Sequence, residues 1–407
     1  MMNQDSQSKK TLFIITTIVI IGLFFALIAY SKNTISSDDV KKDTQEKASE
    51  ENIEISTRGG VPVAIPVDPS IHYPNRNVEH IETPVPVRAV YMSNWVASGG
   101  KMKSDIIKLI DDTEVNAVVI DIKDATGKVA FLTDDETVND TGSPENRVRD
   151  IAQLIDTLHE KNIYVIGRIA VFQDPYLAAK YPEWAIHRKS DGEVWKDKKG
   201  LSFLDVTNEE VGNYIIALAR ESHRIGFDEI NFDYIRFPSD GDIANISYPL
   251  TKYPTRADAL EDFFKRLHIG IEDSGMVTSA DLFGLVTSTT DDMGIGQVLE
   301  RTLPYFDYIA PMVYPSHYPK NFIGLANPAT EPYKVIKYAM DSGVTRIEAA
   351  GFSKTKLRPW LQDFNMGATY TADMVRAQMQ ATYDAGLDSW MMWDPANTYT
   401  NGAYLAQ

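Results

Sequence analysis

Gly226-Phe227-Asp228-Glu229-Ile230-Asn231-Phe232-Asp233-Tyr234-Ile235-Arg236-Phe237-Pro238 decides how the rest of the chain is read. A glycine that accepts a left-handed backbone closes the helical stretch before it. Ile, Phe and Tyr then favour an extended strand, and Pro238 ends it because proline cannot donate to a ladder. Asp233 and Arg236 fall near the C-terminal end of that strand. Burying an acid bare in an apolar strand costs several kcal/mol, so Asp233 must be paired or must face a polar cavity. The pairing reading offers Arg236 or Arg168 as partner; the other, which we favour, places a reactive carboxylate at the strand's mouth.

Outward from this strand the same pattern recurs. The runs VRAVYMS, NAVVIDIK, IYVIGRIAV, EINFDYIRF, MVTSADLFG, DYIAPMVY, TRIEAAGF and SWMMWD make eight candidate strands, apolar enough to be buried on both faces. Amphipathic segments separate them, among them Asn146–Glu160, Glu209–Arg224, Arg256–Asp273 and Thr371–Ala385. Eight such units predict an α/β fold, a (β/α)8 TIM barrel over residues 87–407. An open doubly wound sheet would need a Gly-rich phosphate loop after its first strand, and YMSNWVASGG supplies none. The connections agree with the barrel. Helix-to-strand links are tight and Gly-marked (HRIGFDEI, EDSGMVTS, MDSGVTRI, YDAGLDSW), whereas strand-to-helix links are long, near residues 172–208, 238–255, 315–331 and 352–371. Long loops at the C-terminal face are where such barrels build their sites. Too few residues follow Asp394 for a full eighth helix, and part of residues 52–86 is expected to cover the gap.

The N-terminus reads by membrane rules. Lys9 and Lys10 precede the uncharged apolar run Thr11–Tyr30, about long enough to span a ~30 Å hydrocarbon core. The lysines favour a cytoplasmic N-terminus and an extracytoplasmic C-terminal domain. No clean cleavage site follows, so residues 1–30 are read as an uncleaved single-pass signal anchor in the cell membrane; cleavage would instead release a secreted protein. Residues 31–86 form a polar tether and then a Pro-rich extended segment.

Composition narrows the chemistry. With no Cys among 407 residues, no disulfide, zinc–thiolate site or thiol nucleophile is available. A formal charge of −17 leaves no basic face for nucleic acid. There is no G-x-S-x-G elbow and no H-E-x-x-H, and the seven His are scattered. We expect neither metal nor cofactor.

Polar residues instead gather at predicted strand ends. Strand 2 carries Asp121, Lys123 and Asp124; strand 3, Arg168; strand 5, Asp281; strand 6, Tyr314 and then His317; strand 7, Glu348; strand 8, Trp393 and Asp394. A barrel gathers these ends around one axis. Paired carboxylates are what glycosidic-bond cleavage requires, and Trp95, Trp184, Trp195, Trp360, Tyr305 and Tyr318 offer flat faces for sugar rings. Trp184 and Trp195 could equally pack a hairpin around Asp191-Gly192.

The segments VVIDIKDATG, PEWAIHRKSDGEVWKD, GFDEINFDYIRFPSDG, SADLFG, PMVYPSHY and WMMWDPANTY resemble a family of glycoside hydrolase-like TIM barrels on bacterial exported or membrane-anchored proteins. The resemblance covers roughly residues 87–400 and implies a barrel related to glycoside hydrolases, of unproven activity. Strand 4 is also similar to the chitinase signature, but the catalytic Glu position of that signature is Ile235 here. It looks closer to barrels with an Asp nucleophile ending strand 4.

Two expectations follow. One is a glycoside hydrolase acting on an envelope or extracellular polysaccharide. In it Asp233 is nucleophile or base, Asp281 its acid partner and Glu348 the reserve, while Asp121, Lys123, Arg168, Arg236, Tyr314, His317, Trp393 and Asp394 bind substrate or tune the acids. The other is an inactive barrel that binds cell-wall or extracellular glycans.

Overall fold

The computed structural model describes residues 76, 78–248 and 252–407. The apolar run Thr11–Tyr30, the tether and most of the Pro-rich segment lie outside the described residues, and with them the expected anchor. Among the described residues no helix is long and apolar enough to cross a membrane.

Eight parallel strands close into a barrel: β1 (Arg88–Met92), β2 (Ala117–Lys123), β3 (Tyr164–Ala170), β4 (Glu229–Asp233), β5 (Val277–Phe283), β6 (Tyr308–Met312), β7 (Trp360–Gln362) and β8 (Trp390–Trp393). Each pairs with its neighbours in sequence, and β8 pairs back onto β1, with Ala89 opposite Met391. Between them run α1 (Lys101–Asp112), α2 (Ile151–His159), α3 (Glu209–Ile225), α4 (Arg256–Ile271), the short α5 (Leu299–Thr302), α6 (Pro332–Ala349) and α7 (Ala372–Asp384). These helices are held by apolar faces and local caps. In α3, Val211, Tyr214, Ile215 and Leu218 recur at helical spacing and are fully buried, each contributing roughly 1.5–3 kcal/mol. Asn208 caps its first turn, and Gly226, at φ +137°, ends it.

The seventh strand corrects the sequence reading. TRIEAAGF is not a strand: Thr345–Ala349 form the last turns of α6, so Glu348 is exposed on a helix. The strand is the three-residue Trp360–Gln362, inside the stretch read as a loop. Gly343, read as a helix stop, lies within α6, where a Cβ would stand 3.0 Å from Leu357. Its job is close helix packing; the chain leaves the helix later, at Gly351, φ +84°.

There is no eighth helix among the described residues, as expected, but the cover differs. Residues 403–407 fill the gap: Leu405 O accepts from Glu114 N at 2.8 Å, Ala406 bridges Thr113, and Tyr404 is buried beside Trp390. Residues 78–86 instead underlie the barrel floor. Ile81 N donates to Asp228 at 2.8 Å, and the Thr83 hydroxyl lies 3.0 Å from that of Tyr164.

Inside the barrel β4 alternates strictly. Ile230 and Phe232 face the helices, while Glu229, Asn231 and Asp233 point inward at three successive levels. At the floor, Glu229 takes both Arg358 contacts at 3.0 Å and accepts from Ser279 at 2.6 Å and Tyr164 at 3.2 Å. Both charges are fully buried, so the pair is held by its protein neighbours rather than by solvent; Arg358 Nε and Nη2 find no hydrogen-bond partner among the described residues, and the guanidinium lies 3.8 Å from the Tyr308 ring.

Candidate active site

The upper level of the interior holds a cluster centred on Arg168. Its Nη1 donates to Asp121 at 2.6 Å, and its Nε and Nη2 both donate to Asp233, the former at 3.1 Å. The same Nε stands 4.0 Å from Asp281. Register explains the convergence. Asp121 is paired with Arg168 across β2 and β3, and Phe232 with Ala280 across β4 and β5, so Asp233 and Asp281 emerge next at equal height. The Arg168 guanidinium lies 5.1 Å from the Trp393 ring, which stacks on Tyr91 at 4.0 Å; Tyr91 donates to Asp121 at 2.5 Å.

The two carboxyl groups of interest sit differently. Asp233 is 6% exposed; it faces Arg168 and accepts from the Tyr234 N–H at 2.5 Å. Asp281 is 1% exposed and accepts from Asn231 at 2.8 Å and from Trp360 Nε1 at 2.7 Å, both on Oδ1. Burial first, and the Asp233 charge second, push the Asp281 pKa well above the usual carboxyl range; Arg168 offsets this only in part. Burial likewise raises Asp121. Burial alone would lower Arg168, but Asp233 and Asp121 outweigh it and hold that cation firmly charged.

Of the residues singled out by sequence, Asp121, Arg168, Asp233, Asp281 and Trp393 therefore share one cluster. Tyr314 borders it, with a pKa that burial and the charges of Asp281 and Asp233 push far up. His317 packs edge-on against Tyr314 and Phe364, and burial pushes its pKa down to about 4. Arg236 stands at the mouth, paired neither to Asp233 nor to Arg168's other partners.

Three positions are not brought in. A register shift between Asp121 and Lys123 re-aims Lys123 into a buried pair with Asp174 at 2.8 Å, where it also donates to Ala170 O. Asp394 organises the loop after β8 by accepting from Ala396 N and Thr398 N, both at 2.9 Å, and burial raises its pKa to about 6. Glu348 is on α6. Among the aromatics, Trp195 is buried in the hairpin turning at Asp191-Gly192, and Tyr318 is buried. Trp95 is 64% exposed, with Arg147 over its ring at 4.0 Å. Sequence reasoning missed Tyr91 and Asn231 and took Trp360 for a loop residue. The alternation E-I-N-F-D was the available signal for Asn231.

Among the described residues no group of His, Asp or Glu has the arrangement of a metal site. A closed parallel barrel with two acids converging at the C-terminal ends of adjacent strands is the architecture of a glycoside hydrolase-like barrel. Residues 89–399 match the family described as "Putative glycosyl hydrolase domain", and the chain belongs to that family. Among solved structures the chain is similar to the glycoside hydrolase domain of PgaB (BpsB) from Bordetella bronchiseptica, with 16% identity and a TM-score of 0.56, over 77% of this chain and 95% of that one. It also matches a hypothetical protein from Ruminiclostridium thermocellum at 33% identity, covering 47% of this chain and 96% of that one, with a TM-score of 0.43. A third match is the α-galactosidase TtGalA from Thermus thermophilus, at 13% identity, 78% and 60% coverage and a TM-score of 0.48. No curated protein matches the sequence.

Proposed function

We propose that the barrel is a glycosidase of envelope or extracellular polysaccharide in which Asp233 is nucleophile or base and Asp281 is the acid. The observation that carries this is one guanidinium nitrogen contacting both carboxyl groups, with the buried partner, Asp281, biased toward its protonated form. Asp233 is the more exposed of the two and takes the attacking role. The shared nitrogen bounds their oxygen-to-oxygen separation at about 7 Å, which admits the roughly 5–5.5 Å of a retaining pair and only the lower edge of the inverting range. Tyr314, Trp393 and Trp95 supply ring faces and a hydroxyl for the sugar.

The near-complete burial of Asp281 and the engagement of Asp233 by Arg168 favour one alternative, a barrel that binds glycans without cleaving them. A polysaccharide panel with Asp233→Asn as control decides between them. Turnover by wild type that the variant abolishes supports the enzyme; undiminished turnover by the variant sinks the assignment; binding without turnover by wild type selects the alternative.

The run Thr11–Tyr30 is proposed to anchor the protein in the cell membrane with the barrel extracytoplasmic. Protease added to intact cells should then degrade the barrel, and full protection would reverse that topology.

A further inference from the structure

Beyond Asp233 the chain leaves β4 abruptly. Tyr234 takes a left-handed backbone, φ +52°, rare for a bulky residue, and its N–H folds back onto the Asp233 carboxyl. This turn carries Arg236 to the mouth. Its guanidinium is walled by aromatic rings: Phe283 at 4.8 Å, Tyr234 at 5.3 Å and Phe203 at 5.8 Å. Tyr234 and Phe283 are themselves partly exposed. Among the described residues it donates from Nη1 to Phe237 O at 3.1 Å.

No carboxylate among the described residues lies within 4.0 Å of this guanidinium; Asp233, Asp240 and Asp197 act on it only from farther away. Its neighbours in the barrel are treated differently. Arg168, Arg358 and Arg147 each meet a carboxylate within 3.0 Å. Burial of Arg236 disfavours its charge, so the protein retains a partly desolvated cation whose planar fork is not engaged by a carboxylate among the described residues. Lys199 stands near enough to add to the positive field, opposed by Asp197 and Asp240. In a chain of formal charge −17, a cation without a carboxylate partner beside the acids is a local exception. Long-range repulsion of an anionic glycan is screened beyond roughly 8–10 Å, so the local cation decides at contact.

We propose that Arg236 recognises a carboxylate on the sugar bound beside Asp233, which makes the substrate class a uronate-bearing polysaccharide. A planar carboxylate matches the guanidinium fork with two parallel hydrogen bonds, while Tyr234 and Phe283 flank the ring that bears it. The inference rests on the reading that the Asp233 site binds glycan, and it is tested by affinity rather than by turnover.

The probes are uronate oligosaccharides and their carboxyl-reduced counterparts of identical linkage, titrated calorimetrically into the full-length chain. Wild type should bind a uronate at least about tenfold more tightly than its reduced form. R236Q should bring that ratio close to one, and R236K should restore part of it, since charge returns without the fork. Equal affinity of wild type for both forms, or an unchanged ratio in R236Q, overturns the proposal. Should R236Q fail to fold, R236K decides: a ratio equal to wild type excludes fork recognition. Asp233→Asn should keep the preference. Hydrolysis surviving in that variant overturns the catalytic assignment alone and leaves the uronate preference standing.

Discussion

Replacing Arg168 with Met removes the counter-charge of the upper cluster while keeping most of its volume. The cation is buried, and so are Asp121, Asp233 and Asp281, at 2.6 Å, 3.1 Å and 4.0 Å from it. Breaking a buried ion pair by deleting one partner costs about 3–5 kcal/mol, because the other charge remains buried and uncompensated. Here several acids lose one cation, so the upper end of that range applies, a large share of a typical stability of about 5–15 kcal/mol. The deficit depends on pH with a fixed sign. Burial already raises the proton affinity of Asp121 and Asp281, and loss of Arg168 raises it further. The folded variant then binds more protons than the unfolded chain, so its stability falls as pH rises from about 4 through the raised pKa values. Urea denaturation at about pH 7.5 and about pH 4.5 measures this: the gap to wild type should be full at the higher pH and visibly smaller at the lower. A gap below about 1 kcal/mol at neutral pH, or an equal gap at both, would refute the electrostatic account and leave only packing.

Asp281→Asn and Asp233→Asn should move thermal midpoints in opposite directions near neutral pH. The first removes the need to reprotonate a buried acid on folding, the second takes from Arg168 one of the two carboxylates it donates to and leaves Asp121; parallel shifts would contradict the different roles assigned to them. Glu229→Ala should destabilise by about 3–5 kcal/mol by stranding Arg358, without altering glycan affinity, since that pair lies at the barrel floor. The depressed pKa of His317 contributes stability above the unfolded value of 6.5 that is lost as pH falls through about 4, and an NMR titration of its ring should show that midpoint; one near 6.5 would place the imidazole in solvent. Deleting residues 1–51 should leave a soluble, cooperatively folding chain, which size-exclusion chromatography and thermal melting check.

Seven of the eight strands were legible because each presents a short, mostly apolar run, broken by few inward polar residues and bounded by polar or Gly-containing turns. The seventh was not. Trp360–Gln362 is three residues long and follows Arg358 and Pro359, whereas Thr345–Ala349 carries β-branched and apolar residues that a helix end also tolerates. The helix continues through Gly343, where a Cβ would stand 3.0 Å from Leu357, a tertiary contact that no local pattern encodes. In the candidate site, strand-end placement sufficed for Asp121, Arg168, Asp233 and Asp281. It failed for Lys123 because a single irregularity in pairing changes the direction of a side chain, and for Asp394 because the loop after β8 needs an acceptor for its own N–H groups.

The inward column on β4 has an evolutionary consequence. Glu229 depends on Arg358 ahead of β7, Asn231 on Ser279 and Asp281 of β5, and Asp233 on Arg168 of β3. Single replacements at these positions leave a buried partner stranded, so they are selected against even when the paired replacement is tolerated. Drift at these positions should therefore proceed by coupled exchanges between strands far apart in sequence. Laboratory evolution of this barrel toward another specificity would advance faster with libraries that vary 121 and 168 with 233 than with any scan of one position at a time.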